Sequence, residues 1–566
     1  MTARRRYIAR VCLIACFVVT IGIQLWYLSP LQNWLVGDDS TYHYLRVDAL
    51  AERLRAGDFL SEVNNVFFEG AGYADFAYPT AFLYIPALFR VMGCGIGLSM
   101  KLFLILCGVC TYLTMYLCVK DISGSRVAAT VAAVVYSLSQ YRIDCIFTRF
   151  ALGEVQAFIF WPLILWGLYD LLARDGKRTW LLGLALGGML LSHSLSTLLA
   201  LLICAIFCLI FIKRFVTNPA KWKRIGITAG LTLALTAFYW IPFLRFLSLH
   251  DLSLFHPRTV TADSTVDPLS MFSNVQLDAT HAGIGVILLA LACCRLLLCR
   301  RSPLGDPMRK SGLYVRFLDA CLLIGLIALF CATSLAPWNI LGFLLNSLRL
   351  SFRLYVVVTV CLAIAGGICL YYVLRTANAK RIGVIVLCAA CLVSTALHLE
   401  FIELKNYESP PEDYFYATTA SRIVCEGEWL PMDAKNAVTE WEQHAKLLEL
   451  SNGTRPTYRR SRGTITFPVD GTCAYANLPL VWYHDYKAFD ENGRELPVTS
   501  NEQGLVQVNV IGVVGNVTVT YVVSFVTKAA FGLSAVTALS LLAVVIIKRV
   551  RRKKAEPSES ETPEAL

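Results

Sequence analysis

Long apolar runs alternate with short polar stretches along most of the chain. A helix needs about 20 apolar residues to cross about 30 Å of hydrocarbon. Runs that approach this length are predicted as membrane spans at residues 8–28, 97–119, 126–142, 155–173, 179–193, 195–212, 224–247, 281–299, 315–334, 351–374, 382–400 and 528–548. The pattern therefore predicts a polytopic α-helical membrane protein with about 12 transmembrane helices.

The stretches between spans predict four segments on one face, at residues 29–96, 143–154, 248–280 and 401–527. In the first of them, apolar positions recur at helical spacing from Ser40 to Ala56, and Gly57 is placed to end that helix. Residues 79–92 are apolar but too short to span, so they are expected to lie along the interface or to re-enter the membrane.

The pattern changes period in the region 401–527. Four segments rich in Val, Thr, Tyr and Phe predict strands, and Asn492-Gly493 predicts a hairpin turn between two of them. The strand segments are 463–469, 478–489, 505–511 and 517–525. The predicted organisation is a transmembrane domain over 1–400, a small, mainly β extracytoplasmic domain over 401–527, a final span at 528–548 and a disordered tail at 549–566, rich in Glu, Ser and Pro.

Composition supports this assignment, since 56% of residues are hydrophobic, 16% are charged and the mean hydropathy is +0.58. The net charge of +11 would suit a nucleic-acid binder, but the basic residues flank the spans and fall on one side when the spans are threaded in order. These residues are Arg4, Arg5 and Arg6; Lys120 and Arg126; Arg174, Lys177 and Arg178; Lys213, Arg214, Lys221, Lys223 and Arg224; Arg300, Arg301, Arg309 and Lys310; Arg375, Lys380 and Arg381; and the cluster from Lys548 to Lys554. The threading predicts an even number of spans with both termini in the cytoplasm.

The first span begins with basic residues, as a signal peptide does. It is longer than a signal peptide, and no small-residue cleavage site precedes Pro30, so a retained anchor is predicted. Most of the 20 cysteines lie inside apolar spans. Cys425 and Cys473 belong to the predicted external domain, where a disulfide between them is compatible with the compartment. No cysteine or histidine spacing matches a zinc site.

The clearest chemical signal is Gly37-Asp38-Asp39-Ser40-Thr41-Tyr42-His43, which follows the first span and precedes a helix. One interpretation is structural, with Asp39 or Ser40 as an N-cap and the acids favouring the helix dipole. The functional interpretation is a carboxylate that acts as a general base or a metal ligand, with His43 one turn along. A divalent cation is compatible with Asp38 and Asp39, but the sequence places no third ligand.

Other ionisable residues converge on the same predicted membrane surface. Arg149 and Glu154 begin the fourth span from outside, His193 lies at the turn after the fifth, and Arg349 and Arg353 open the tenth. Placing one charged side chain within the membrane costs about 2.5 to 3.5 kcal/mol on insertion scales. Several charged residues at the same depth therefore need oppositely charged partners or a function. Taken singly, Arg349 is explained by snorkelling, in which the side chain extends along the membrane interface and keeps its charge in water. The set predicts an anion-binding site, because arginine binds phosphate bidentately and keeps its charge.

A carboxylate base beside cations at lipid level suits group transfer from a lipid-linked phosphate donor. In such a reaction the acid activates an acceptor hydroxyl, and the cations stabilise the leaving phosphate. The chain has no Walker motif and no GxGxxG after a strand, so a nucleotide-linked donor is not expected.

Several short motifs, in order, resemble a YfhO-like member of the GT-C superfamily of membrane glycosyltransferases, close to the group labelled 6-pyruvoyl-tetrahydropterin synthase-related membrane proteins. The matching pieces are Gly37-Asp38-Asp39 with His43 and Arg46; Ala77-Tyr78-Pro79-Thr80 with Tyr84 and Pro86; Arg149 to Glu154 with Trp161-Pro162; Ser192-His193-Ser194; Tyr239-Trp240-Ile241-Pro242; Ser351-Phe352-Arg353; and Leu478-Pro479-Leu480 with Tyr483, Tyr486, Ala488 and Gly493. Together they cover nearly the whole chain.

The resemblance implies a GT-C fold and transfer of a sugar from a polyprenyl-phosphate carrier to a cell-envelope glycan, polymer or lipid at the outer face of a bacterial cytoplasmic membrane. It places the catalytic acid at Asp39, with Asp38 as the second candidate and His43 beside them. Many relatives have a His-Asp pair here, which leaves the division of labour open. Arg46, Arg149, Glu154, His193 and Arg353 are the expected substrate- and phosphate-binding residues. The pterin label implies a three-histidine zinc site whose spacing this chain lacks.

Two other functions fit some of these features. A transporter or flippase of lipid-linked sugars would also need charged residues within the membrane, although it predicts them near the midplane, where this sequence has few. A non-catalytic scaffold that displays the β-domain to an envelope partner would make Asp39 dispensable.

Overall fold

The computed structural model describes residues 3–29, 34–60, 62–64, 70–75, 78–252, 264–273, 283–299, 312–406, 430–434, 447–461 and 463–555. These ranges contain the helices α1 Ala3–Leu28, α2 Ser40–Arg55, α3 Tyr84–Val91, α4 Ile96–Ser123, α5 Arg126–Ser137, α6 Gln140–Phe147, α7 Leu152–Ala173, α8 Thr179–Leu190, α9 Ser194–Ile210, α10 Ile212–Val216, α11 Pro219–Leu235, α12 Ala237–Leu249, α13 Val286–Cys299, α14 Gly312–Ala332, α15 Trp338–Leu345, α16 Tyr355–Val373, α17 Ala377–Asn406 and α18 Phe525–Ala555.

Every predicted span coincides with an apolar helix or part of one. In the described residues, seven helices are long and apolar enough to cross a membrane, and the bent pair α11–α12 makes eight if it counts as one span. The predicted spans at 126–142, 179–193, 195–212 and 281–299 correspond to the shorter helices α5, α8, α9 and α13. The chain is therefore a multi-pass membrane protein, while the figure of 12 spans stays a prediction.

The predicted span 126–142 is wrong in its second half. Helix α5 ends at Ser137, and α6 begins at Gln140 after a turn in which the Ser139 hydroxyl donates to the Tyr136 carbonyl at 2.9 Å. Every residue of α6 is buried. Its polar side chains find protein partners, since Arg142 donates to the Ser137 carbonyl at 2.9 Å and to Gln24 at 3.3 Å. A helix with such residues is more stable inside the protein than facing lipid.

The predicted span 224–247 is divided into α11 and α12, whose axes differ by 74°. The Thr236 hydroxyl at the break donates to the Thr232 carbonyl one turn earlier at 2.8 Å, a contact that bends helices. Pro242 lies inside α12 and cannot donate a backbone hydrogen bond. Helix α12 thus turns away from the direction of α11, and its Phe246 packs in the apolar cluster of the β-domain with Val63 and Tyr73.

Three of the basic clusters meet at one end of the helix bundle. Asp121, near the end of α4, bonds Arg174, and it bonds Arg178 at 2.7 Å. Lys221 in α11 donates to the carbonyl of Arg174 at 3.0 Å. The ends of α4 and α7 and the beginnings of α8 and α11 therefore lie together, as the threading by charge requires.

The helix predicted from Ser40 to Ala56 is confirmed as α2. Gly57 follows it with a φ of +72°, and the Asp58 amide donates back to the Arg53 carbonyl at 3.0 Å. The left-handed conformation at Gly57 ends the helix, as its position in the sequence predicts. The apolar segment 79–92 forms a short 3₁₀ turn at Ala81–Leu83 followed by α3, which is too short to span.

The β-region forms two antiparallel sheets, and a separate two-stranded ribbon lies between α2 and α3. The strands are β1 Val63–Asn64, β2 Tyr73–Ala74, β3 Glu449–Leu450, β4 Arg459–Ser461, β5 Thr464–Asp470, β6 Tyr475–Val481, β7 Tyr486–Phe489, β8 Glu495–Leu496, β9 Val498–Ser500, β10 Leu505–Asn509 and β11 Val514–Tyr521. One sheet has the order β3-β6-β10-β9 and the other β4-β5-β11-β7-β8. Their inner faces share one apolar core.

The four predicted strand segments all contain strands, but two details differ. The segment 478–489 is interrupted at 482–485, so that β6 and β7 belong to different sheets. The turn at Asn492-Gly493 joins β7 to the short strand β8, with the Asp490 carboxylate accepting from the Asn492 and Arg494 amides at 2.9 Å each.

Two predictions fall at the edge of the described chain. Cys425 lies outside the described residues, so its pairing with Cys473 stays a prediction. The disordered tail cannot begin at residue 549 as predicted, because α18 continues to Ala555. Residues 556–566 lie outside the described part of the chain.

The β-domain is bound to the segment 70–75 through hydrogen bonds that backbone amides donate. The Val481 amide donates to the Ala71 carbonyl at 2.8 Å, and the Ala74 amide donates to the Tyr483 hydroxyl at 3.2 Å. The apolar cluster of the β-domain includes Tyr42 from α2. The domain, the loop and α2 therefore form one continuous structure above the helix bundle.

Candidate functional site

The acid motif is held by main-chain hydrogen bonds to the segment between α6 and α7. The Asp38 amide donates to the Thr148 carbonyl at 3.2 Å, and the Asp39 amide donates to the Arg149 carbonyl at 2.9 Å. A Cβ atom on Gly37 would lie 2.8 Å from the Thr148 carbonyl oxygen. Only glycine allows the two segments to lie this close, which explains the residue before the two acids.

The same connecting segment contains a strained residue. Phe150 has a φ of +51°, which is uncommon for a bulky side chain. Its ring is buried and lies 5.3 Å from the ring of Tyr44 in α2. Strain of this kind costs about 1 to 3 kcal/mol and persists where surrounding packing fixes it, commonly at functional sites. Here it turns the chain between Arg149 and Glu154, so that both face the acid motif.

The Asp39 carboxylate does not cap α2. Asp39 occupies the N-cap position, but its side chain makes no capping hydrogen bond, and the Ser40 hydroxyl donates to the Gly37 carbonyl at 2.7 Å. Burial raises the pKa of Asp39 to about 6, with Arg149 and Arg353 lowering it and Asp38 and Glu154 raising it. The predicted capping hydrogen bond is therefore absent, although Asp39 does occupy the N-cap position, where its charge favours the helix dipole. The Asp38 side chain is more exposed.

Glu154 joins the two arginines that were predicted to hold phosphate. Its Oε1 accepts from Arg149 Nη2 at 2.9 Å and from Arg353 Nε at 3.2 Å. The Tyr141 hydroxyl donates to its Oε2, and the Arg149 guanidinium lies 5.1 Å from the centre of the Phe352 ring. Residues from two separate regions of the sequence, 141–154 and 352–353, thus form one cluster within electrostatic reach of Asp39.

His193 lies at the edge of this cluster. Its Nδ1 accepts from the Ser196 amide at 3.2 Å, which caps α9 and leaves the proton on Nε2. The His193 ring is 5.9 Å from that of Tyr78. A Cβ on Gly153 would collide with the Tyr78 hydroxyl at 2.2 Å. Both rings therefore pack at the beginning of α7, beside Glu154.

His43 and Arg46 lie deeper, behind the acid motif. The His43 ring is buried, its centre lies 6.0 Å from that of Tyr78 and 6.3 Å from that of Phe150, and burial holds its pKa well below the usual value. Arg46 donates to the Tyr78 carbonyl at 2.8 Å and binds Asp75 at 3.3 Å. The structure therefore places Arg46 where it supports Tyr78, and the predicted phosphate contact of Arg46 stays a prediction.

Sequence reasoning missed two tyrosines of the site. Tyr141 follows an apolar run and was assigned to the end of a span, although the polar residues around it, Gln140, Arg142 and Asp144, signalled a buried helix. Tyr78 was noted only as part of a motif. Within the part of the chain that the structure describes, no group of three or more His, Cys, Asp or Glu is placed to hold a metal ion.

Comparison with known proteins gives matches to solved structures only. No protein-family model matches the chain, and no curated protein sequence matches it. One similar structure is the arabinofuranosyltransferase AftD from Mycobacteria, with 18% identity, a TM-score of 0.46, and coverage of 71% of this chain and 28% of AftD. The chain therefore spans less than a third of that protein.

Two further matches are of the same kind. The apo oligosaccharyltransferase from Archaeoglobus fulgidus has 12% identity and a TM-score of 0.41, covering 72% of this chain and 58% of its own. ArnT from Cupriavidus metallidurans, bound to undecaprenyl phosphate, has 14% identity and a TM-score of 0.36, covering 72% and 76%. The TM-scores of all three matches lie below 0.5. The GT-C fold and the YfhO-like subgroup stay predictions.

Proposed function

We propose that this protein is a membrane glycosyltransferase that moves a sugar from a polyprenyl-phosphate carrier to an acceptor of the cell envelope. Asp39 takes the proton of an acceptor hydroxyl, and that oxygen attacks the anomeric carbon of the donor sugar. The bond between this carbon and the phosphate oxygen breaks, and polyprenyl phosphate leaves with the bonding electrons. The products are the extended acceptor, the carrier phosphate and a protonated Asp39.

The observation that carries this proposal is the position of Asp39 beside two arginines. A pKa of about 6 leaves Asp39 mostly ionised at pH 7 and more basic than an ordinary aspartate. A general base works best when its pKa lies near the working pH. The arginines supply positive charge where the leaving phosphate gains negative charge, which is the largest contribution that a site of this type can make.

The other residues have supporting roles in this proposal. Glu154 fixes the orientation of Arg149 and Arg353, which are left to bind the phosphate through their remaining N–H groups. His193 lies where its Nε2–H could donate to the donor or acceptor. Arg46 holds Tyr78 in place and so acts as a positioning residue. His43 is neutral and buried, and its contribution is to the packing below Asp39.

A metal site and a position in the membrane belong to the same proposal for this protein. Asp38 and Asp39 would supply carboxylate oxygens to a divalent cation, with water and the donor phosphate completing its shell. The acid motif and the β-domain lie at the outer face of a bacterial cytoplasmic membrane, opposite the basic clusters, and both termini lie in the cytoplasm. This orientation puts the site in reach of a carrier lipid in the outer leaflet.

Substituting Asp39 with Asn tests the base directly. We expect Asp39→Asn to abolish transfer, because the amide cannot accept the acceptor proton, so that cells accumulate the sugar-charged carrier and lose one envelope decoration. The measurement is mass analysis of envelope glycans and polyprenyl-linked sugars. Asp175→Asn is the control and should keep the transfer, since its side chain is 82% exposed and lies among the basic residues that follow α7.

Measuring the stability of the Asp39→Asn protein distinguishes a loss of catalysis from a loss of folding. Because the pKa of Asp39 is raised in the folded state, its ionised form weakens the fold as pH rises from about 4 to about 6. Asp39→Asn should therefore be at least as stable as the wild type at pH 7. Retained transfer in a stable Asp39→Asn protein, or equal losses in both variants, would remove Asp39 as the base.

A further inference from the structure

A cavity of about 280 Å³ lies between the first external loop and the ends of α12 and α18. The helices supply an apolar wall, formed by the aromatic rings of Phe238 and Tyr239 and by Pro242 of α12, together with Phe531 of α18. Phe59, which is 58% exposed, lies at the rim. The cavity therefore reaches the protein surface at the external loop.

The opposite wall carries ionisable side chains that are bound to one another. Asp75 binds Arg53 at 2.6 Å and also binds Arg46, which lies behind it. Glu62 accepts from the Thr527 hydroxyl at 2.6 Å and from the Tyr521 hydroxyl at 2.8 Å. Arg53 is the one guanidinium among the described residues that line the cavity, against the carboxylates of Glu62 and Asp75, so the wall carries no excess of positive charge. Such a wall suits a ligand with hydroxyl groups better than a phosphate.

The cavity adjoins the Asp39 site but is separated from it by one layer of side chains. The Tyr239 hydroxyl lies 3.3 Å from that of Ser194, the residue that follows His193. Thr80 lines the cavity two residues after Tyr78, whose ring faces His193. A molecule in the cavity would therefore lie beside the reacting groups without touching Asp39.

We propose that this cavity binds an uncharged sugar ring of the acceptor, one unit away from the ring whose hydroxyl reacts. This inference rests on the proposed function, since it assigns a subsite to the same acceptor. A sugar ring has an apolar C–H face that packs on Tyr84 and Phe238, and hydroxyls that donate to Glu62 and Asp75. The volume lies near the lower end of the range for ligand sites, about 300 to 1,000 Å³, and suits a single ring.

The test measures binding rather than transfer. Full-length protein in lipid nanodiscs is mixed with the methyl glycosides of glucose, galactose, mannose and N-acetylglucosamine, and with glycerol 3-phosphate as the anionic probe. Saturation-transfer NMR reports which probe contacts the protein. Leu60→Trp fills the cavity and Tyr84→Ala removes one ring, while Leu244→Trp is the matched control on the exposed face of α12.

We expect at least one glycoside to bind the wild type, with the signal falling more than fivefold in Leu60→Trp and in Tyr84→Ala and persisting in Leu244→Trp. Asp39→Asn should bind as the wild type does, because Asp39 does not line the cavity. If Leu60→Trp loses glycoside binding but the wild type shows no transferase activity, the assignment of the cavity as a sugar site stands and the proposed function is rejected. No glycoside binding, equal binding in Leu60→Trp, or binding of glycerol 3-phosphate alone would overturn the inference.

Discussion

Asp39 differs from an ordinary aspartate because of the residues that surround it in space. Its neighbour in sequence, Asp38, has the same side chain but is more exposed. Asp39 is partly removed from water and lies within electrostatic reach of two arginines and Glu154, all distant in sequence. One motif therefore contains two chemically identical acids with different properties.

The raised pKa of Asp39 predicts a pH dependence of activity. Because the base must be ionised, kcat/KM should rise about tenfold per pH unit below pH 6 and level off above it. Arg149 lowers this pKa, so Arg149→Gln should move the break to higher pH as well as reduce the rate. The measurement is a pH–rate profile with membranes or nanodiscs.

Arg90 provides the control for that profile, because it binds Asp48 at 2.7 Å and is not among the charges that act on Asp39. Arg90→Gln should leave the break where it is. A flat profile between pH 4.5 and 7, or the same shift in both variants, would contradict the assignment of the base.

The sequence was a good guide to which residues meet but a poor guide to their bonds. Residue type and threading predicted that Arg149, Glu154 and Arg353 converge, since charged groups at membrane level need partners. Their mutual pairing was not predictable, because it depends on the turn at Phe150. The role of Arg46 differs for the same reason, since its partner Asp75 comes from a loop without periodic pattern.

Among the contacts between elements, the pairing of the acid motif with residues 148–149 is the one that a small added side chain would disturb most. Gly37→Ala would place a Cβ 2.8 Å from the Thr148 carbonyl oxygen and 2.9 Å from the Phe150 Cβ. Both are parts of the chain that cannot rotate away, so the acid motif must shift. We expect transfer to fall at least tenfold with the protein still folded, since a displacement of about 1 Å can cost about 100-fold.

Hydrogen exchange provides a direct measure of that shift. The Asp39 amide, bonded to the Arg149 carbonyl, should exchange slowly in the wild type and faster in Gly37→Ala. Gly22→Ala is the matched control, because a Cβ there meets nothing within 4 Å. Unchanged exchange at Asp39, with full activity, would show that the pairing does not matter.

Element prediction succeeded where one signal dominates. The helical spacing and Gly57 gave the bounds of α2 to within a residue. The β-branched runs identified the longer strands, whereas the short strands β1 to β4, β8 and β9 were not predicted. It failed at 126–142 and 224–247, where hydropathy alone does not reveal a break. Those breaks depend on single hydroxyls, at Ser139 and Thr236, and on partners supplied by other helices.

For the whole molecule, the ion pair between Arg245 and Asp485 joins α12 to the β-domain. The two side chains are bonded at 2.5 and 2.7 Å and are mostly buried. Removing one partner of such a pair leaves a charge with little water, which costs about 3 to 5 kcal/mol when burial is complete and less here. Asp485→Ala should therefore loosen the contact between domain and membrane helices.

Hydrogen exchange again gives the measurement, with faster exchange expected in β7, β11 and α12 and no change in α4. Arg455→Ala is the control, because its pair with Glu449 is exposed and contributes little. Equal exchange in wild type and Asp485→Ala would mean that the main-chain contacts at Val481 and Ala74 hold the domain by themselves.

The attachment of Asp39 through backbone atoms has a consequence for how this site can change over evolutionary time. A carbonyl group is present whatever the side chain, so residue 148, whose carbonyl accepts from the Asp38 amide, is free to vary while the acid motif keeps its place. Gly37 and the number of residues between α6 and α7 are not free in this way. Divergent relatives should therefore share a spacing more than a string of letters, and a search that weighs identity alone would pass over them.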